Sequence, residues 1–317
     1  MLAEPSRGDS ALFDPAIQAL PPARLAAVRA TRLEVLLARA GAAVATRYAG
    51  VGERLERAPI LTAAELADEV EAHPPFGRLQ LEPEPLIRAA LATAALPRPT
   101  PIAWTRADLD ADARLGARAL RRAGLAPRAR SSDTLDGGLI APGTLAIADA
   151  LDALDALALP VGPVTVDNAL QRVAEVWDIV RPDVLIVDAP SLAFLYSAAA
   201  YPRPRAFAVL LTPAHAVELA APPRADVYRI FSVPQVSTFV AGECAAHEGY
   251  HLAEDAVVAE IVGDAPGAPL PDGRRGRLLL TTLTRNLALL RFDTGLSAVI
   301  DRAPCACGET HARLRFS

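Results

Sequence analysis

The residues of this 317-residue chain best suited to hold a metal are its three cysteines, Cys244, Cys305 and Cys307. Two of them are separated by a single residue, and Pro304 and Gly308 bracket the pair, so the chain must turn sharply for both sulfurs to face one ion. Three cysteines cannot build a disulfide framework. With one imidazole they make a closed tetrahedral set, the arrangement of a structural zinc site with no open position. His251 is the expected fourth ligand, and His247, one helical turn earlier in sequence, is its rival. Three unrelated buried thiols are the plainer alternative.

Residues able to move a proton or position a ligand are sparser. His215 follows an apolar run and has a side chain whose ordinary pKa lies near neutrality, which makes it the best general base on offer. Ser191 follows a strand terminus, where open sheets place ligands, but no Gly-x-Ser-x-Gly elbow marks it as a nucleophile. Tyr228 and Gln235 complete the polar groups expected around one pocket, together with Pro190, Leu211 and Phe231.

The elements that must carry these groups are legible in part. Leu25, Val28, Leu33, Leu36 and Leu37 recur among arginines after Pro21-Pro22, a helical period. Thr62-Ala-Ala-Glu65 is a capping box opening a short helix that stops before Pro74-Pro75. A further helix is expected over 105–122, with Asp108 and Asp110 at its start and Arg118, Arg121 and Arg122 at its end, charges that complement the helix dipole. Apolar runs at 156–161 and 183–188 flank a helical stretch at 166–180, a strand-helix-strand unit that implies a parallel sheet. Runs at 206–211 and 226–231 extend it. After Cys244 the pattern is β, broken by the turn signal Pro271-Asp272-Gly273. The expected organisation is a helical start at 1–90, an α/β core at 91–240 and a β-rich, zinc-bearing lobe at 241–317, all in one unit.

Composition narrows the class. Hydrophobic residues make up 52% and charged residues 22%, and every basic residue besides histidine is arginine. A net charge of -5 gives no reason to expect a nucleic-acid partner. No window offers the ~18 uninterrupted apolar residues of a membrane span. The first ten residues lack the apolar stretch of a secretory signal. The expectation is a reduced, cytoplasmic protein.

Motif order then points to a family. Leu61-Thr-Ala-Ala-Glu-Leu66 with Pro75-Phe-Gly77, Trp104-Thr-Arg-Ala-Asp-Leu-Asp110, Arg181-Pro-Asp-Val184 and Ala189-Pro-Ser191 come in sequence. Pro269-Leu-Pro-Asp-Gly-Arg-Arg-Gly-Arg-Leu278, Thr281-Thr-Leu-Thr284, Arg291-Phe292 and Cys305-Ala-Cys-Gly-Glu-Thr-His311 follow. This series resembles the phenylacetate-CoA ligases of the adenylate-forming superfamily, in register over roughly residues 12 to 317. The resemblance implies an α/β fold, that of the superfamily's N-terminal domain: parallel sheets flanked by helices, plus a distorted barrel. It also implies the metal set Cys244, His251, Cys305 and Cys307, which falls on that group's Cys…Gly-x-His…Cys-x-Cys-Gly pattern, and places His215 where the family's acyl-pocket loop begins.

Departures from the family fall on the ATP-binding residues. The phosphate loop of such enzymes, Ser-Ser-Gly-Thr-Thr-Gly-Lys-Pro-Thr, corresponds without a gap to Ala92-Thr-Ala-Ala-Leu-Pro-Arg-Pro-Thr100. Both glycines are gone, and Pro97 has no N–H to offer a phosphate. Gln235 replaces the glutamate that helps hold Mg²⁺, and a neutral amide is a poor ligand for a hard dication. Leu296 replaces the ribose-binding aspartate and cannot accept a hydrogen bond. The family's smaller C-terminal domain, bearing its adenylation lysine, is expected to be missing.

The resulting expectation is a degenerate, ATP-independent relative that keeps an acyl or aryl pocket and a structural zinc. It would bind a small acyl or aryl ligand, as a thioester if already activated, and act either as a repurposed biosynthetic enzyme of acyl-transfer type or as an accessory binding subunit. A protein partner would dock where the C-terminal domain sits in the family. The alternative is a true adenylating CoA ligase with unusual ATP contacts and a C-terminal domain supplied in trans.

Overall fold

The structure, a computed structural model, describes residues 12–81, 84–93, 95–164, 167–197, 204–213, 226–263 and 267–316. Its helices are α1 (Pro15–Gln18), α2 (Pro22–Ala43), α3 (Ala45–Tyr48), α4 (Ala63–Ala72), α5 (Arg106–Arg122), α6 (Thr144–Ala153), α7 (Asp167–Val180) and α8 (Ala189–Ser197). The strands of its first half are β1 (Arg88–Ala92), β2 (Thr100–Trp104), β3 (Arg130–Asp133), β4 (Ile140–Ala141), β5 (Leu157–Pro160), β6 (Val184–Asp188) and β7 (Ala206–Leu211). Those that follow are β8 (Asp226–Val233), β9 (Ser237–Glu243), β10 (Tyr250–Leu252), β11 (Val257–Val262), β12 (Gly276–Thr282), β13 (Phe292–Asp301) and β14 (Arg313–Phe316).

Both capping boxes form: Thr62 and Glu65 close the start of α4, and Thr105 and Asp108 close the start of α5, each side chain bonding the other residue's backbone N–H. Among the described residues the strands make an eleven-stranded sheet in the order β11-β12-β13-β14-β10-β9-β8-β7-β6-β3-β5, and a three-stranded sheet β2-β1-β4. The large sheet is parallel from β5 to β8 and antiparallel from β8 onward. The expected strand-helix-strand unit is therefore present, but β5 and β6 are not neighbours, because β3 lies between them.

Side-chain alternation along β6 and β7 explains why helices cover both faces. Val184 and Ile186, with Ala206, Ala208 and Leu210, face the main core that α5 and α6 share. Leu185 and Val187, with Phe207, Val209 and Leu211, face a second core closed by Trp177 of α7 and Leu192 and Leu195 of α8. Gly116 lets α5 lie directly against α6 and β9, since a Cβ there would meet Ala150 at 2.5 Å and Phe239 at 2.6 Å.

The turn before β11 fastens the helices to the C-terminal strands. Glu254 accepts from the Ala312 N–H at 2.8 Å and from Arg29 and Arg302, while Asp255 accepts from Arg118 at 2.8 Å and pairs with Arg32. Burial pushes both carboxyls up, but these donors outweigh it and hold them below their ordinary range. A carboxylate depressed in the folded state contributes stability above its unfolded pKa, near 4, and loses it as pH falls through the folded value. The urea midpoint is expected to fall between pH 5 and pH 3, and Asp255→Asn should flatten that slope. An unchanged slope in the variant would refute the role given to Asp255.

Candidate metal centre and apolar cavity

Strand order assembles the metal cluster. Cys244 follows the end of β9, His251 is the middle residue of β10, and Cys305 and Cys307 lie in the loop between β13 and β14. Because β10 pairs with β9 on one side and β14 on the other, these three segments converge. Gly249 is required at the start of β10: its φ is +108°, and a Cβ there would stand 2.8 Å from the Leu314 carbonyl oxygen of β14. Gly308, at φ +84°, donates to the Cys305 carbonyl and closes the turn that carries Cys307.

The four ligand atoms lie within 4.8 Å of one another. Cys244 Sγ is 3.7 Å from Cys305 Sγ, against about 3.8 Å for two thiolates on one tetrahedral zinc. His251 Nε2 is 3.3 Å from Cys307 Sγ, where such a site needs about 3.5 Å. His251 is fully buried, and its Nδ1 lies 3.1 Å from the His311 carbonyl oxygen, a contact that puts the ring proton on Nδ1 and leaves Nε2 free to ligate. The Cys307 Sγ–H and the His251 ring draw the Cys244 thiol down to about 3 against the effect of burial, and the same contact pushes Cys307 up. A dication bound here would displace the thiol protons. His247 takes no part: its ring packs on Tyr228 with centroids 4.9 Å apart, and its Nδ1 is 3.7 Å from Glu243.

Cations surround the cluster. Arg122, at the end of α5, reaches Glu309 with Nε at 2.7 Å and Nη2 on the second oxygen, and lies within electrostatic reach of Cys244 and Cys307. Arg313 stands similarly toward Cys305. Three thiolates around a dication would leave one negative charge, which two guanidiniums of this kind would stabilise.

The polar groups expected around one pocket are only partly brought together. Ser191 is buried in the first turn of α8, its N–H donating to Asp188 Oδ1 at 2.8 Å, and Gln235 is fully buried in the turn between β8 and β9. Both lie past the carboxyl ends of their parallel strands. Tyr228, by contrast, sits near the start of β8, five residues or roughly 16 Å from its end, so strand direction separates it from Gln235. His215 lies outside the described residues, as does Ala94 of the connection from β1 to β2.

That connection, residues 93–99, spans an antiparallel hairpin. Its cation, Arg98, turns onto α4 and pairs with Asp68 at 2.8 Å and Glu71 at 2.5 Å. Leu296 lies in a bulge of β13 at which Gly295 turns with φ +72°. Asp293, in the same bulge, accepts from the Gly295 N–H at 2.9 Å and pairs with Arg277 at 3.2 Å.

An apolar cavity of about 30 Å³ lies elsewhere, between the small sheet and helices α5 and α6. Trp104, Leu109, Ala113, Ile140 and Leu145 form its apolar walls; Asp112 and Thr238 add polar groups, and the Arg88–Asp149 ion pair completes the lining. Behind Asp112 is a buried hub. Arg285, almost fully buried, lies 3.6 Å from Asp112 and 3.9 Å from Asp108, and its guanidinium stands 4.9 Å over the Trp104 ring. Asp108 accepts from the backbone N–H groups of Asn286 and Thr105 at 2.7 and 2.9 Å. No pattern of apolar residues signals this cavity, since its walls come from several elements distant in sequence.

Comparison with known proteins follows the same line. No family model matches the chain. It is 28% identical over an alignment 331 positions long to a phenylacetate-coenzyme A ligase of Thermus thermophilus, covering 96% of this chain and 72% of that protein. A phenylacetate-coenzyme A ligase of Escherichia coli matches at 27% over 254 residues, 76% of this chain and 56% of the relative. Among solved structures, an open conformation of 2-hydroxyisobutyryl-CoA ligase in complex with 2-HIB-AMP and CoA superposes with a TM-score of 0.83 at 21% identity, over 97% of this chain and 77% of that one. The same ligase in its postadenylation state with 2-HIB-AMP gives 0.81 at 19% identity, over 96% and 70%. The chain is a homologue of the phenylacetate-CoA ligases and has the fold of the adenylate-forming CoA ligases. Among the described residues no helix is long and apolar enough to cross a membrane.

Proposed function

We propose that this relative of the phenylacetate-CoA ligases binds a small acyl group, already activated as a thioester, without using ATP, and that Cys244, His251, Cys305 and Cys307 hold a structural zinc. The observation that carries the first part is the hairpin connection at 93–99. Where the family's phosphate loop offers glycine N–H groups and a lysine, this chain has Thr-Ala-Ala-Leu-Pro-Arg-Pro, and its arginine is engaged on α4. Gln235 and Leu296 replace a metal-binding and a ribose-binding carboxylate and act in the same direction. Each lost polar partner costs ~1–3 kcal/mol, so three together weaken ATP by ~10²–10⁶-fold if independent.

The acyl group is assigned to the cavity beside Trp104, which has the apolar walls and few polar groups that such a ligand requires. At about 30 Å³ the cavity suits a short aliphatic acyl chain better than an aryl ring. Specific ligands raise apparent stability in proportion to their saturation. Millimolar butyryl thioester is expected to raise the thermal midpoint, with phenylacetyl thioester and ATP-Mg²⁺ leaving it unchanged. Micromolar ATP binding by calorimetry, or pyrophosphate exchange with any carboxylic acid, would establish the adenylating reading instead.

A further inference from the structure

Of the two carboxylates lining that apolar cavity, Asp149 pairs with Arg88, while the partners of Asp112 are unevenly made. Ser237 Oγ donates to Oδ1 at 2.8 Å, a good hydrogen bond. The other oxygen has only long contacts: the Thr238 N–H at 3.4 Å, the Thr238 hydroxyl at 3.3 Å and the Arg285 guanidinium at 3.6 Å. An ionised carboxylate accepts at about four lone-pair positions, and donors at such distances fill them poorly. Asp112 is 6% exposed, so bulk water does not complete the set. Thr238, 2% exposed, is the second polar group of the same wall.

We infer that Asp112 and Thr238 make the cavity selective for a short acyl group that carries a hydroxyl, a reading that rests on the acyl-binding assignment above. A ligand hydroxyl inserts into the long Thr238–Asp112 contact: it donates to Asp112 Oδ2 and accepts the proton that the Thr238 hydroxyl now gives that oxygen, so one 3.3 Å contact is exchanged for two shorter hydrogen bonds. A plain alkyl chain of the same length leaves the buried oxygen as it is and strips any water from it, which costs a partner without replacing it. Burial raises the Asp112 carboxyl above its ordinary range while Arg285 and Ser237 oppose the rise, which agrees with a carboxylate short of donors.

The test is calorimetry on the wild-type chain with N-acetylcysteamine thioesters of butyrate and of butyrate hydroxylated at carbon 2, 3 or 4. The best hydroxylated ligand is expected to bind about tenfold tighter than butyryl. Thr238→Val and Asp112→Asn, each checked for a native thermal midpoint, should narrow the hydroxyl preference. If butyryl and every hydroxylated ligand bind within twofold of one another, the selectivity is refuted while the acyl pocket stands. Binding of none of them overturns both. A hydroxyl preference that survives in both variants also refutes the roles given to Asp112 and Thr238. Thr238→Val settles the matter if Asp112→Asn does not fold.

Discussion

Chain purified without added metal is expected to carry about one equivalent of zinc, and stripping it with a strong chelator should lower the thermal midpoint by about 10 °C or more. The magnitude follows from what the cluster joins. Its ligands come from the end of β9, the centre of β10 and the β13–β14 loop, so releasing the ion frees that whole loop. The same loop also holds the N-terminal segment: Thr310 donates to the Gln18 and Leu20 carbonyl oxygens, and Gln18 donates to Glu309 at 3.2 Å. Two unpaired thiols on a loosened loop and a third at the end of β9 are a poor substitute, because metal-binding free energy here is folding free energy. Cys305→Ser should reproduce most of the loss and also drop the zinc content. A metal-free preparation with an unchanged midpoint sinks the assignment.

Glu309→Ala should be almost as damaging, at about 3–5 kcal/mol by chemical denaturation. Arg122 has a side chain only 5% exposed and Glu309 none, and the two make a bidentate pair between the end of α5 and the metal loop. Removing the carboxylate leaves a buried guanidinium without its counter-ion, and Gln18 loses its acceptor as well. The penalty comes from the orphaned charge rather than from the strength of the pair. A double variant that replaces both residues with apolar side chains of similar volume should therefore recover part of the stability, and Glu309→Ala alone costing under 1 kcal/mol would refute the account. Zinc content measured in parallel separates this effect from loss of the metal.

Local chemistry was enough to locate much of the chain's architecture. Thr62 and Thr105 announced two helices because a capping box is satisfied within four residues, whatever the rest of the chain does. The apolar runs that became β6, β7 and β8 stood out because a parallel strand covered on both faces needs apolar side chains on both. Membership of the Cys/His cluster was legible to the extent that thiols are few. Choosing His251 over His247 was decided by pairing: β10 carries His251 between β9 and β14, while His247, four residues away in the preceding turn, is carried off to Tyr228.

Tertiary structure alone decided the rest. β3, Arg-Ser-Ser-Asp, has no apolar rhythm, yet it occupies the sheet between β5 and β6; Ser131 and Ser132 are tolerated there because their hydroxyls donate to the Leu157 and Leu159 carbonyl oxygens at 2.8 and 2.7 Å. The cavity was invisible for a related reason. Trp104, Asp112, Ile140 and Thr238 come from β2, α5, β4 and β9, and each reads in sequence as an ordinary core or surface position. Only the packing of the small sheet across α5 and α6 turns one buried aspartate into the polar end of an apolar pocket, since the cost and the use of a buried carboxylate depend on what surrounds it in space.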